Sequence, residues 1–402
     1  MSKEQQASLT RIPTTRAKND EIFHQILEGK TVSREEAVNL ICSNGNEAEL
    51  LWSVAASMRT RGKGNIVSYS RKVFIPLTNL CRDTCGYCTF KKNPSQREAK
   101  TMSPKEVITV ASAGSKYRCT EALFTLGERP EQRYTEAKTV LHNLGFSTTL
   151  EYLRYACEVV IEKTGLLPHA NPGTMTKKEM RSLRDVNASM GLMLENASER
   201  LCKPGGPHEK APSKHPKLRL ATIRNAGELK IAFTTGLLIG IGETTEEIVD
   251  SLYAIKELND NFGHIQEIIL QNFRAKENTQ MANCAEPDHG FMRNVVAVAR
   301  IILGQDMNVQ VPPNLSPTLY PGFISSGIND WGGISPVTVD FVNPEAPWPK
   351  VRMVSRECAK CGFNLKQRLP IYPEFIMKKT GFVPEPLQPL VNSMIDSQGY
   401  VS

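Results

Sequence analysis

The chain has 402 residues, 40% hydrophobic and 23% charged, with a formal net charge of +7. That composition excludes intrinsic disorder, and so mild a basic excess over so long a chain argues against a nucleic-acid partner. No run of about 18 apolar residues is present, so no membrane span is expected, and the N-terminal MSKEQQASLTRIPTTRAKNDE has neither the apolar core of a secretory signal nor the acid-poor character of a transit peptide.

In chain order, residues 1–65 read as a mobile tail followed by a helical extension. Helix is expected over 20–62, with Ser33 and Glu36 in a capping-box pattern ahead of Ala37, Val38, Leu40 and Ile41. From Val67, short apolar runs alternate with longer amphipathic ones. The runs predict strands at Val73–Leu77, Ala122–Leu126, Leu166–Ala170, Met190–Leu194, Thr235–Ile241 and Ile265–Leu270. Helices are expected between them, near 104–113, 148–163, 176–185, 217–228, 245–260 and 287–303. Ser103-Pro-Lys-Glu106, Thr176 with Glu179 and Thr244 with Glu247 mark three of their starts.

Six βα units in series imply an α/β fold with a parallel sheet inside and helices outside. This is a TIM-type (β/α) barrel, closed or as a six-unit partial barrel, over 66–306. Residues 201–217, rich in Gly, Pro and charge, read as a loop. Residues 307–402 are expected to be irregular and helical and to cover the barrel mouth. Within them, 310–349 has Pro and Gly clusters around Asn329-Asp330-Trp331, and 352–368 is read as helical. Chemistry in such barrels sits at the C-terminal strand ends, and polar motifs fall there. Three cysteines follow the first strand and Gly127-Glu128 the second. His169 and Asn171 close the third, Glu195-Asn196 the fourth, Gly242-Glu243 the fifth and Gln271-Asn272 the sixth.

Among ten cysteines, Cys81, Cys85 and Cys88 have the spacing C-x3-C-x2-C. Three thiolates on one loop can hold three irons of a 4Fe-4S cubane, leaving the fourth iron open. S-adenosylmethionine can chelate that iron, and reductive cleavage there gives a 5′-deoxyadenosyl radical. The other reading is zinc. Cys85-x2-Cys88 and Cys358-x2-Cys361 could form a four-cysteine ribbon, which would make the chain a zinc-binding interaction protein. Against it, Cys81 would be surplus, and zinc ribbons are small independent modules whereas this loop lies inside a βα array.

The cysteine spacing, with Tyr87 before the last cysteine and a strand upstream, resembles the radical S-adenosylmethionine superfamily. The resemblance implies that Gly127 and Glu128 meet the amino group of the methionine moiety. Glu195 is placed to accept from ribose hydroxyls, Arg200 to assist at the carboxylate, and Gly240 and Gly242 to let backbone approach the adenine. His169, Asn171, Gln271, Asn272, Asn329, Asp330 and Trp331 are the substrate-side candidates.

The longer stretches PLTNLCRDTCGYCTF, ALFTLGERPE, LPHANPGTM, GLMLENASERL, FTTGLLIGIGET, EIILQNFRAK and GINDWGGISPVTVDFVNPEAPWP closely resemble the ring-forming subunit of FO synthases. That resemblance implies conversion of 5-amino-5-(4-hydroxybenzyl)-6-(D-ribitylimino)-5,6-dihydrouracil to 7,8-didemethyl-8-hydroxy-5-deazariboflavin, with loss of ammonia. It further implies a separate tyrosine-coupling subunit as supplier of the substrate, a low-potential electron donor, and a cytoplasmic setting. A menaquinone-pathway cyclase is the rival within the same superfamily.

Overall fold

A computed structural model describes residues 15–402, with side chains from residue 21 onward; the expected tail lies mostly outside the described residues. Eight parallel strands close a barrel: β1 (Ile66–Thr78), β2 (Glu121–Leu126), β3 (Leu167–Asn171), β4 (Ser189–Gly191), β5 (Phe233–Ile239), β6 (Ile265–Asn272), β7 (Val309–Gln310) and β8 (Asp330–Ile334). Closure is possible because β1 is 13 residues long. Its upper half pairs with β2 from Lys72↔Glu121 onward, while on its other side Ser70 pairs with Gly333. All seven residues of β5 are buried, as a strand covered on both faces requires.

The six expected strands and their six helices are all present. The capping boxes at Ser33/Glu36, Ser103/Glu106, Thr176/Glu179 and Thr244/Glu247 form, each contributing about 1 kcal/mol. A helix at Thr135–Asn143 was not foreseen.

The C-terminal stretch departs most from expectation. Asp330-Trp331-Gly332-Gly333, expected in an irregular cover, is the eighth stave of the barrel. Helix Val351–Lys360 stops at Cys361 and Gly362, the latter at φ +82°. Asn364–Arg368 then forms a ninth strand, β9, parallel to the lower half of β1, where 352–368 had been read as one helix. Beyond β9 the chain packs Leu369, Ile371, Tyr372 and Phe375 against Leu167, Ala188 and Ala232, which stand at strand starts. It therefore plugs the bottom of the barrel, while residues around 335–350, with Pro312 and Leu315, line the mouth side of the cavity.

The closing seam is short. β7 contributes two residues and meets β8 at one pair, Gln310↔Asp330. Side chains stitch it: Asn329 Oδ1 accepts from Val309 N at 3.0 Å and from the buried Arg300 at 2.8 Å. Helix His289–Leu303 is apolar nearly all round because Arg34–Ile41 and Gly45–Lys63 cover its outer face. Asn294 fixes that contact, donating to Ile41 O and Ser43 O and accepting from Trp52 Nε1 at 2.8 Å.

Candidate active site

β1 ends at Thr78 and the chain turns into the cysteine loop across the barrel mouth. Three other segments hold that loop. From the end of β2, Glu128 N–H donates to Cys81 Sγ at 3.1 Å, and Glu128 O accepts from Arg82 N at 2.8 Å. The 201–217 loop clamps it: Thr84 N donates to Lys210 O and Gly86 N to Pro207 O, both at 2.7 Å, while Tyr87 Oη lies 3.0 Å from His208 Nε2. Ser213 Oγ bonds the buried Asp83 carboxylate. From the far side of the mouth, Met281 N donates to Gly86 O at 3.0 Å. Gly127 is required at this approach, because a Cβ there would overlap Leu80 O and the Cys81 side chain.

Burial pushes the Cys81 thiol up to about 12 and raises Cys85 further, and the neighbouring thiols add to both shifts. Bare thiolates are therefore disfavoured here, and a cation is what would make them ligands. Among the described residues, no three His, Cys, Asp or Glu side chains converge on a single-ion position. The three thiols nonetheless sense one another, an arrangement suited to a cubane, in which each thiolate binds its own iron. The donor set thus suits a cluster. Cys358 and Cys361 do not join them: Cys358 is buried beneath Trp331 Nε1, 3.3 Å away, and Cys361 is exposed. The ribbon reading fails on that separation.

Below the thiols opens a cavity of about 380 Å3, walled by β1 to β8. Cys81, Cys85, Cys88, Tyr87, Gly127, Glu128, Glu195, His169, Asn171, Gln271 and Trp331 all line it. Glu195 is buried and holds φ +65°, a conformation a non-glycine residue adopts at a cost of about 1–3 kcal/mol. Its backbone bridges to β5, and its carboxylate forms an ion pair with Lys214, with Arg219 at 3.8 Å. Burial raises the Glu195 pKa, but Lys214 and Arg219 outweigh it and leave the carboxyl below its usual range. Glu128 differs. Its carboxylate is committed to Thr174 N at 3.1 Å and Thr174 Oγ1 at 2.5 Å, and lies 3.7 Å from Arg82 Nη2 of the cysteine loop, while its backbone holds that loop directly.

On the floor, His169 Nδ1 lies 2.6 Å from Ser189 Oγ, which donates to Pro370 O, and Nε2 lies 3.2 Å from Asn171 Oδ1. Burial lowers the His169 pKa to about 4, so the ring is neutral near pH 7. Gly191 leaves room for this pair, since a Cβ would overlap Asn171 Oδ1. Trp331 lines the cavity but is fully buried. Its N–H is bound to Cys358 and its ring stands edge-on to Tyr320 at 5.1 Å, so the indole belongs to the wall and is not free to stack.

Six expected site residues lie elsewhere. Arg200 is half-exposed, gripping Glu247 and donating to Gly242 O at 2.7 Å. Gly240 and Gly242 hold φ of +97° and +101° in a turn outside the cavity, where Gly240 N donates to Glu243. Asn272 donates to Leu315 O. Asn329 stitches the barrel seam. Asp330 is completely buried, accepting from Arg368 Nε at 2.7 Å and Nη2 at 2.9 Å, with Glu267 beyond at 3.1 Å from Nη2. These residues answer to backbone and charge demands within the wall, and the sequence gives no sign of that.

The sequence reading missed Lys72, Lys214, Arg219, Gln310, Trp348 and Arg368, which also line the cavity. One signal existed: Lys72 stands two residues before Phe74, and strand alternation puts the two on the same face.

A family profile described as the radical SAM superfamily matches residues 75–253. A 7,8-didemethyl-8-hydroxy-5-deazariboflavin synthase of Methanopyrus kandleri is 49% identical over 335 residues, covering 83% of this chain and 99% of that protein. An FO synthase of Streptomyces avermitilis is 42% identical over 379 residues, covering 92% of this chain and 44% of that protein. Among solved structures, the FeFe-hydrogenase maturase HydG from Carboxydothermus hydrogenoformans aligns with a TM-score of 0.74 over 95% of this chain and 86% of that one. At 17% identity, that likeness shows the fold alone.

Proposed function

The chain belongs to the 7,8-didemethyl-8-hydroxy-5-deazariboflavin (FO) synthase family of radical S-adenosylmethionine enzymes, and from that membership we propose how its cavity serves two ligands. The protein is a radical enzyme of deazaflavin ring formation, with a 4Fe-4S cluster and S-adenosylmethionine as cofactors. The finer reading is that it takes 5-amino-5-(4-hydroxybenzyl)-6-(D-ribitylimino)-5,6-dihydrouracil and releases FO and ammonia. The observation that carries it is the layering of one cavity. Thiols, Gly127 and the Glu195–Lys214 pair lie at the mouth; His169, Asn171, Gln271, aromatic rings and the buried charges of Lys72, Glu121, Glu267 and Arg368 line the rest.

Cys81, Cys85 and Cys88 would hold the cluster, which when bound supplies the electron that cleaves S-adenosylmethionine to methionine and a 5′-deoxyadenosyl radical. Glu195, held by Lys214 and Arg219, is placed to accept from ribose hydroxyls. The Tyr87 ring, hydrogen-bonded to His208, packs the inner side of the thiol loop. Neutral His169, Asn171 and Gln271 suit a polyhydroxylated ribityl tail, which needs neutral partners and no phosphate cradle. Enclosure by the barrel and the 335–350 segment keeps water from a radical substrate.

The bacterial relative above is more than twice the matched length. We assign the tyrosine-coupling step to a separate protein and reduction of the cluster to a low-potential donor, in the cytoplasm. No helix among the described residues is long and apolar enough to cross a membrane. The test is an anaerobic assay of cluster-loaded protein with the tyrosine–uracil adduct. Deazaflavin fluorescence appearing with 5′-deoxyadenosine supports the reading; deoxyadenosine without fluorescent product overturns it.

A further inference from the structure

Lys72 lies deep on β1 with 9% of its surface exposed and lines the cavity. Its stem runs over Gly333 of β8, where an added Cβ would overlap Cδ, Cε and Nζ. Among the described residues no hydrogen bond or ion pair reaches Nζ. It stands 4.2 Å from the centroid of Phe74 and 5.4 Å from that of Trp348, two rings stacked 5.8 Å apart at 22°.

The acids around it are committed elsewhere. Glu121 is bound to Ser70, Glu267 to Arg368 and Tyr372, and Asp340 to Asn314 and Asn343. Burial lowers the lysine's pKa; Glu121, Asp340 and Glu267 work against that, and Arg368 adds to it. Buried polar groups are nearly always paired. A buried ammonium with no hydrogen-bond partner, lining a cavity beside two stacked rings, is what a site looks like before its ligand arrives.

We propose that Lys72 and Trp348 form the subsite for the pyrimidinedione ring of the substrate. The ammonium donates to its carbonyl oxygens while the planar ring lies against the Phe74–Trp348 pair. This rests on the substrate reading above and goes beyond it by fixing which end of the adduct sits where. Of the adduct's three parts, the dione alone presents two strong acceptors on a flat ring. A phenol offers one oxygen, and a ribityl chain has no face to stack. Gly333 is then a specificity residue, since it opens the path that Lys72 occupies.

The experiment uses cluster-loaded protein and anaerobic calorimetry with three probes: the adduct, 5-amino-6-(D-ribitylamino)uracil, and p-cresol for the phenol end. Lys72→Met keeps the stem and removes the charge. It is expected to weaken the ribitylaminouracil and the adduct at least tenfold and p-cresol less than twofold. Trp348→Leu removes the ring and should show the same pattern more weakly. Gly333→Ala leaves Lys72 in the chain but displaces it, and reads the same subsite if Lys72→Met does not load its cluster. Ribitylaminouracil binding within twofold of wild type in both Lys72→Met and Gly333→Ala, or selective loss of p-cresol, overturns the subsite. Wild-type protein that binds neither the adduct nor the ribitylaminouracil overturns the substrate reading itself.

Discussion

Lys214 reaches from the 201–217 loop to the carboxylate of Glu195 beyond β4, and both partners of this ion pair lie within the wall of the cavity. Glu195 is therefore oriented by a segment whose sequence reads as an unstructured connection. Glu195→Gln is expected to weaken S-adenosylmethionine binding at least tenfold, about 1.4 kcal/mol, with iron content retained. Lys214→Met should give a comparable loss, and the double variant should fall well short of the sum, because each single change already breaks the same pair. Additive losses in titrations would show that the two act separately.

The cluster assignment makes a sharper division among cysteines. Cys81→Ala, Cys85→Ala and Cys88→Ala should each abolish reductive cleavage of S-adenosylmethionine and lower iron content. Cys358→Ala and Cys361→Ala should keep about four irons per chain by iron and sulfide analysis. Full cleavage by Cys81→Ala would refute the ligand set.

Asp330 and Arg368 test the base of the barrel. Removing one partner of a buried pair strands the other, at about 3–5 kcal/mol. Asp330→Ala should therefore unfold at markedly lower denaturant than wild type, and Asp330→Asn should recover part of the loss by keeping one acceptor for Arg368. A midpoint unchanged in Asp330→Ala would mean that the plug does not depend on this charge.

Trp331→Phe should act on stability. It removes the N–H that faces Cys358 Sγ and shrinks a fully buried ring, so a loss of about 1–2 kcal/mol is expected by thermal unfolding.

His264 supplies a pH dependence far from the thiols. It is wholly buried between Phe233 and Phe262, its Nε2 lies 2.9 Å from Ile223 O, and burial lowers its pKa to about 4 from 6.5. A base that resists protonation only when folded costs stability as acid rises. Its contribution is intact above about pH 6.5 and is lost as pH falls toward about 4, by up to about 3 kcal/mol. His264→Gln should flatten the decline of Tm between pH 7 and 5; an unchanged slope would assign that decline to other groups.

The barrel was legible because its signals are local. Capping boxes at Ser103, Thr176 and Thr244 and buried apolar runs such as Phe233–Ile239 fix each unit without reference to its neighbours. The thiol loop was legible for the same reason, three cysteines within eight residues. β7 and β8 were not. They have two and five residues, and Trp331-Gly332-Gly333 carries the glycines of a turn; those glycines make room for Gln310 and Lys72 from neighbouring strands. The place of Glu195 at a strand end pointed to the cavity wall it lines, but Lys214, which holds it, stands 19 residues on in a loop. Arg200 looked equivalent on spacing and turned to Glu247 instead.

The seam between β7 and β8 sets where the barrel can breathe. β5 and β6 share seven paired residues, while β7 and β8 share one pair and depend on Asn329 and Arg300 to hold them together. Local opening follows the line of fewest ladder bonds. Amides of β7 and β8 should therefore take up deuterium ahead of those of β5 and β6. The stave that yields first also carries Trp331, Gly332 and Gly333, which line the cavity, so transient parting there would widen the cavity on that side.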